Sequence, residues 1–426
     1  MNDTQHTRLD ILRSWCEREL STNILPWWET HARDLSSGGF FGAIDNEGNA
    51  NPDIPRSVVM VSRFLWAHSA AARQLAKPDY LEFAHYAYKY LVSAFVDRVH
   101  GGVFWSVNRD GSPAVAKKQI YGEAFAIYGL SEYALALLAT GDEGNRAAAM
   151  AAREEAISIF DLLEKRVRDR DYGAYGEAVD RDWTATKDLK LSGKDIDCDK
   201  SMNTNLHVME AYSNLLRLET AFTGDILRVR EALEALVEIS AERILGADAH
   251  LDLYFDQQWQ RLGGDIISYG HDIEASWLIF EAMELAVEAG GDHTLMDRYR
   301  DTVVAIARAA LAEGFDPQTG GFDNEFHEGH RDTTRVWWCQ AEAMVGFFNA
   351  WELSGDESFL EACFAIQSWV DRYQIDRRGG EWFASVTRDG KPILREAKGG
   401  NWKTAYHNGR ACLELMRRID LLHSRV

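Results

Sequence analysis

Apolar residues return at spacings of three and four along most of the chain, the pattern of helices that each bury one face. About twelve such segments stand out, and two kinds alternate. The first kind, roughly 5–30, 79–97, 145–166, 225–243, 294–313 and 356–372, is long and mixed in polarity, with charges gathered on one face. These segments are predicted to form an outer layer that meets solvent. The second kind, roughly 57–75, 119–137, 203–219, 271–288, 335–354 and 403–420, is richer in Ala, Trp, Tyr and small residues. These are predicted to be inner helices.

Between each outer segment and the next inner one lies a stretch of Gly and aromatic residues that reads as a short β-hairpin. Three copies are closely related: Gly38-Gly39-Phe40-Phe41-Gly42 before Asp45-Asn46-Glu47-Gly48, Gly101-Gly102-Val103-Phe104-Trp105 before Arg109-Asp110-Gly111, and Gly379-Gly380-Glu381-Trp382-Phe383 before Arg388-Asp389-Gly390. The Asp-Gly pairs are hairpin-turn signals. Weaker copies fall at Tyr172–Gly176, Leu251–Phe255 and Gly320–Glu325. A helix–hairpin–helix unit cannot bury its apolar faces alone, whereas six can close into a ring whose inner helices line a cavity. The predicted fold is therefore all-α, an (α/α)6 barrel with short hairpins at one end, formed by residues 1–426 as a single catalytic domain. An open solenoid would need capping units and would leave the aromatic inner face flat.

Composition narrows the ligand. The formal net charge is -21 and no arginine lies in a long basic run, which argues against nucleic acid. Fourteen tryptophans favour carbohydrate, because aromatic rings stack on the C–H faces of pyranoses, although Trp also packs between helices. The five cysteines lack C-x-x-C spacing, so neither a disulfide framework nor a zinc site is indicated. Residues Met1 to Leu20 contain no apolar core of a signal peptide, and no stretch approaches the roughly 18 apolar residues of a membrane span. A cytoplasmic protein is expected, with no membrane partner, either monomeric or weakly self-associating.

In such a ring all hairpin-to-inner-helix junctions share one end, so residues starting different inner helices converge. Arg63, Tyr121, His207, His271, the Trp337-Trp338 pair, and Trp402 with His407 occupy such places. The three histidines read as repeat-equivalent. His207 precedes Glu210, and His271 precedes Glu274, by the three residues that put both side chains on one helical face. The helix dipole disfavours imidazolium at His271 and Glu274 favours it, which predicts a pKa near neutrality. Such a group can take and return a proton, and the C–H beside a sugar aldehyde is a fitting target. The enediolate so formed would need a fixed cation such as Arg63. Two plainer readings compete: a histidine taken singly more often caps or packs than catalyses, and three histidines with Glu offer metal ligands, though no His-Glu-x-x-His motif is present.

Ser268-Tyr269-Gly270-His271-Asp272-Ile273-Glu274-Ala275-Ser276-Trp277-Leu278, Trp337-Trp338-Cys339-Gln340-Ala341-Glu342-Ala343 and Trp402-Lys403-Thr404-Ala405-Tyr406-His407-Asn408-Gly409-Arg410 resemble the cellobiose 2-epimerases of the N-acylglucosamine 2-epimerase superfamily. The resemblance runs from about Gly38 to Leu415. It implies cofactor-free and metal-free epimerisation at C2 of a sugar with a free reducing end, typically a β-1,4-linked disaccharide. By similarity His271 and His407 are the acid/base pair, His207 and Arg63 polarise the C1 and C2 oxygens, and Glu274 orients His271. Tyr121 and Trp402 stack on the reacting ring, Trp337 and Trp338 hold the neighbouring part, and Asn203 binds a hydroxyl. Asn205 stands where relatives carry histidine, Cys339 where they carry proline, and Val61-Ser62 where a Leu-Asn pair is expected; these positions are expected beside the pocket, where they bear on substrate length. A monosaccharide-acting mannose 2-epimerase or an aldose–ketose isomerase would share the histidines. A glycoside hydrolase would instead need a carboxylate pair, for which Glu210, Glu274 and Glu342 are candidates. A non-catalytic sugar-binding protein is the remaining alternative.

Overall fold

Helices without a polar face have nowhere to go but inside. From Val58 to Ala72 every residue of the first inner helix (Val58–Gln74) is buried. The other inner helices are Ile120–Ala139, Met202–Phe222, Tyr269–Glu288, Trp337–Ser354 and Tyr406–Ser424. Outer helices bury one stripe: Ile226–Ile239 hides only Val229, Ala232, Leu233, Leu236 and Val237. The computed structural model describes residues 3–424, so Met1, Asn2, Arg425 and Val426 of the expected 1–426 domain lie outside the described residues.

The architecture is an (α/α)6 barrel. Each inner helix packs on the next, and the sixth packs back on the first. Each outer helix covers the inner helix before it in sequence, except that the N-terminal helix (Asp3–Glu19) covers the sixth inner helix. Strand pairing closes the same ring. The two-residue strand that leads into one inner helix pairs with the hairpin of the following unit, as Arg56–Ser57 does with Ser106–Val107. The last such strand, Gly399–Gly400, pairs with the first hairpin strand, Ala43–Ile44. Chain ends therefore meet in one continuous circle.

Three features depart from the sequence expectations. The first outer segment is interrupted by a π-type turn at Leu20–Ile24, and the sixth inner helix begins at Tyr406 rather than 403. The Gly- and aromatic-bearing copies mark a single bridge ahead of the hairpin in every unit: Tyr175, Leu251 and Phe322 bridge Arg168, Leu245 and Phe315, as Phe40, Val103 and Trp382 bridge Arg33, Val96 and Ile375, and the hairpins proper follow. The hairpin turns at Trp183 and Trp259 are harder to recognise because these residues take the left-handed conformation (φ 68° and 67°) that Gly111 takes in the second unit.

A repeated ion pair holds the hairpins down. Arg56, Lys118, Lys200, Arg335 and Lys398 are buried against Asp34, Asp97, Asp169, Asp316 and Asp376. Removing one partner of such a pair strands a buried charge, at about 3–5 kcal/mol. These cations belong to the scaffold and not to the site.

Candidate active site

Four outward-facing side chains mark the same position in successive inner helices. Glu123, Asn205, Asp272 and Gln340 accept the backbone N–H of Val103, Tyr175, Leu251 and Phe322, each at 2.9 Å. Asn408 occupies the matching place in the sixth helix, where it donates to Glu381. Counted from these, His271 and His407 each stand one residue before, and are equivalent. His207 does not share their place. It stands two residues after Asn205, level with Glu274, Glu342 and Arg410, and Arg63 lies at that level too, six residues after Ser57 as His207 is six after Ser201. Tyr121, Asn203 and Trp338 form a third level, two residues before their markers.

His271 and His407 flank one ring. Trp338 lies 4.8 Å from the His271 ring centroid and 5.7 Å from that of His407. Gly270 permits this approach, since a Cβ there would meet the Trp338 ring at 2.5 Å. The Nδ1 of His271 bonds Ser268 Oγ at 2.7 Å, that of His407 bonds Glu342 Oε1 at 2.7 Å, and that of His207 bonds Glu210 Oε2 at 2.8 Å. Among the described residues no protein group bonds Nε2 of any of the three. Ser57 and Ser201 use their hydroxyls to cap Met60 and Thr204 N–H, each at 3.1 Å. Ser268, at the corresponding position, leaves its helix uncapped and holds the imidazole instead.

The expected partnership of Glu274 with His271 is not formed. Glu274 Oε1 takes Arg410 Nη2 at 2.5 Å and lies 3.9 Å from His407 Nδ1. Arg410 also bonds Glu342 at 2.7 Å and Glu210, and Trp277 Nε1 donates to Glu342 at 3.1 Å. The three-residue spacing was a correct guide at His207–Glu210 alone; in the fourth helix the first-turn side chains diverge toward different neighbours. Ligand atoms of Glu274, Glu342 and His407 approach within 4.8 Å of one another, as metal ligands do. The cation among them is the Arg410 guanidinium.

Three carboxylates around one guanidinium cannot all be ionised at little cost in a buried site. Burial, and then repulsion from Glu342, push the Glu274 carboxyl up, and burial pushes Glu342 up against the pull of Arg410. Glu210 goes the other way: although burial raises it, Arg410 and His207 bring it down to about 2. The histidines are driven below their ordinary range, chiefly by burial, His271 to about 3. The expected neutral-range pKa of His271 is thus replaced by a lowered one, because burial, and then the nearby His207, outweigh the pull of Glu342.

The remaining candidates surround this pair. Arg63 donates to Trp402 O at 2.7 Å and to Tyr121 Oη at 2.9 Å and lies over the rings of Phe125 and Tyr406. Tyr121, whose phenol burial raises to about 12, sets its ring edge against His207 and Trp402. Trp402 remains 40% exposed, as a side chain at an opening would. Asn203 Oδ1 and Trp337 Nε1 are buried polar atoms without partners. Asn203 and His271 line a common cavity. Asn205, by contrast, turns away: its amide bonds Tyr175 O and Ser201 O, so it braces a hairpin rather than bordering the pocket. Cys339 is fully buried against Asn324.

Comparison with known proteins identifies the family. The family pattern of N-acylglucosamine 2-epimerase (GlcNAc 2-epimerase) matches residues 39–411. Cellobiose 2-epimerase of Bacteroides fragilis is 38% identical over 409 residues, covering 96% of this chain and 99% of that one. The structure of cellobiose 2-epimerase from Spirochaeta thermophila superposes with a TM-score of 0.88 at 39% identity, covering 99% and 100% of the two chains. A D-mannose isomerase structure, at 18% identity and a TM-score of 0.79 over 95% and 97% of the chains, shares the fold. The protein belongs to the N-acylglucosamine 2-epimerase family and is an enzyme of the carbohydrate epimerase and isomerase class. Within that family it groups with the cellobiose 2-epimerases. Among the described residues no helix is long and apolar enough to cross a membrane.

Proposed function

We propose that the protein interconverts gluco and manno configurations at C2 of the reducing-end sugar of a β-1,4-linked disaccharide. One observation carries this reading: His271 and His407, at equivalent helix positions, flank the Trp338 ring with Nδ1 held and Nε2 free. After ring opening, one neutral imidazole takes the C2 proton and leaves its electron pair in a cis-enediolate. Rotation about C2–C3 presents the other face, and the second imidazole, which enters the step carrying the proton that the first lacks, delivers it to C2 there, so that the two exchange protonation states in each turnover. Arg63 supplies the fixed positive charge for the enediolate oxygens. His207 donates its Nδ1–H to ionised Glu210, which leaves Nε2 as an acceptor for a sugar hydroxyl. Glu274 and Glu342 act through Arg410 and His407 and do not orient His271.

Trp402, Tyr121, Trp337 and Trp338 offer the aromatic surfaces, and Asn203 the unpaired amide oxygen, that a sugar needs. Incubation with glucose, mannose, cellobiose and mannobiose, followed by NMR product analysis, tests the reading. The C2 epimer of a disaccharide is expected to dominate. A ketose as main product would make the protein an isomerase, cleavage would make it a hydrolase, and conversion of monosaccharides alone would remove the disaccharide from the proposal.

A further inference from the structure

A further cavity lies at the end opposite the hairpins, among the C-terminal halves of the inner helices, and the proposed reaction makes no use of it. Its space, counted out to solvent, is about 520 Å³. Trp66 and Tyr128 stack at 5.1 Å along its wall, and Trp277 and Arg410 reach it from the catalytic side. Three ion pairs line the mouth: Arg73–Glu132, Arg217–Glu281 and Arg417–Glu414, each at 2.7 Å. Their guanidinium side chains are 32%, 30% and 39% exposed, so the mouth meets water.

Charge and geometry select the ligand class. At the mouth three cations balance three anions, and Arg410 farther in is matched by Glu210, Glu274 and Glu342, which disfavours a phosphate or an amine. Each guanidinium keeps N–H donors beyond those given to its carboxylate, and each carboxylate keeps lone pairs, so donors and acceptors alternate around the mouth. Asn214 donates to Tyr128 O at 3.2 Å and brings a further amide. Alternating donors and acceptors beside aromatic rings suit vicinal hydroxyls on a pyranose. Arg410, which lines this cavity, has a buried Nε without a partner. We propose that this rear cavity is a second binding site for a neutral monosaccharide-sized polyol, coupled to the catalytic histidines through Arg410.

The coupling path is short. Arg410 Nη2 holds both Glu274 and Glu342, and Glu342 holds His407. A ligand that displaces Arg410 changes what His407 is bonded to, and by linkage a sugar in front changes the affinity behind. Only this second part rests on the proposed epimerase reading.

Methyl α-mannopyranoside, which has no free aldehyde and cannot react, is the probe. Titrated into the native protein and followed by tryptophan fluorescence and calorimetry, it should bind at two sites. Asn214→Leu, inside the cavity, and Gln74→Trp, at its rim, should each leave one site. In epimerisation assays the probe should lower kcat about twofold or more in the native protein and act only on KM in the plugged variants. One binding site in the native protein overturns the proposal, as does a second site that survives both plugs. Should Asn214→Leu fail to fold, Gln74→Trp decides. An inactive protein that still binds two probes per chain would defeat the epimerase reading and leave the rear site standing; two sites with no effect on kcat would remove the coupling.

Discussion

His271 and His407 occupy one position in two inner helices and live in different surroundings. His271 leans on a neutral hydroxyl given up by a helix cap, close to the cavity it shares with Asn203. His407 is tied to Glu342, which belongs to a buried net of three carboxylates and one guanidinium. Two bases that work on opposite faces of one carbon need the same reach but not the same electrostatics. The serine side can be disturbed cheaply; the carboxylate side is joined to everything beneath it.

The largest expected effect is loss of either base: His407→Asn and His271→Asn should each lower epimerisation by at least about a thousandfold, measured by NMR at saturating sugar. Next come the partners, which separate the two surroundings. Glu342→Gln should reduce kcat about a hundredfold and lower thermal stability, because Arg410 and His407 both lose a buried charge partner. Ser268→Ala removes one neutral hydrogen bond and should reduce kcat by only about two- to tenfold. Equal losses in the two would erase the distinction.

The acid side of the pH profile follows from burial. An imidazole accepts a proton from carbon only while neutral, and burial holds all three histidines below their usual range. Activity as kcat/KM should therefore not be lost as pH falls through about 6.5, the ordinary imidazole value, and should decline only below it. A half-loss at 6.5 would show that the imidazoles are not desolvated. The smallest effect on activity is expected at Asn205. Asn205→Ala should cost about 1–3 kcal/mol of stability in denaturant unfolding, by stranding Tyr175 N–H and two carbonyls, and leave kcat within about twofold.

The barrel was legible because most inner helices lack a polar face and every unit repeats its turn; even the boundaries of most helices follow. Arg63, Tyr121, His207, His271, His407 and Trp338 were legible as starts of inner helices. Pairing within the site was not, since it depends on rotation about the helix axis. Glu274 lies one turn from His271 in sequence and bonds Arg410 of another helix in space. Arg410 was visible only as a motif letter and Glu342 only as a candidate hydrolase carboxylate, although each stands two residues after a side chain that holds a hairpin, the register that would have grouped them with His207. Ser268 could be expected as a cap, and its use on His271 depends on where that ring turns.

In a two-base mechanism one histidine serves each face of C2. The direct measurement is hydrogen exchange at C2 in D₂O, read by NMR on cellobiose and on its C2 epimer separately, with His271→Asn and His407→Asn. Each variant should exchange the C2 hydrogen of one epimer without inverting it, and the two variants should act on opposite epimers. Interconversion of epimers by either variant, or exchange of the same epimer by both, would contradict a two-base mechanism.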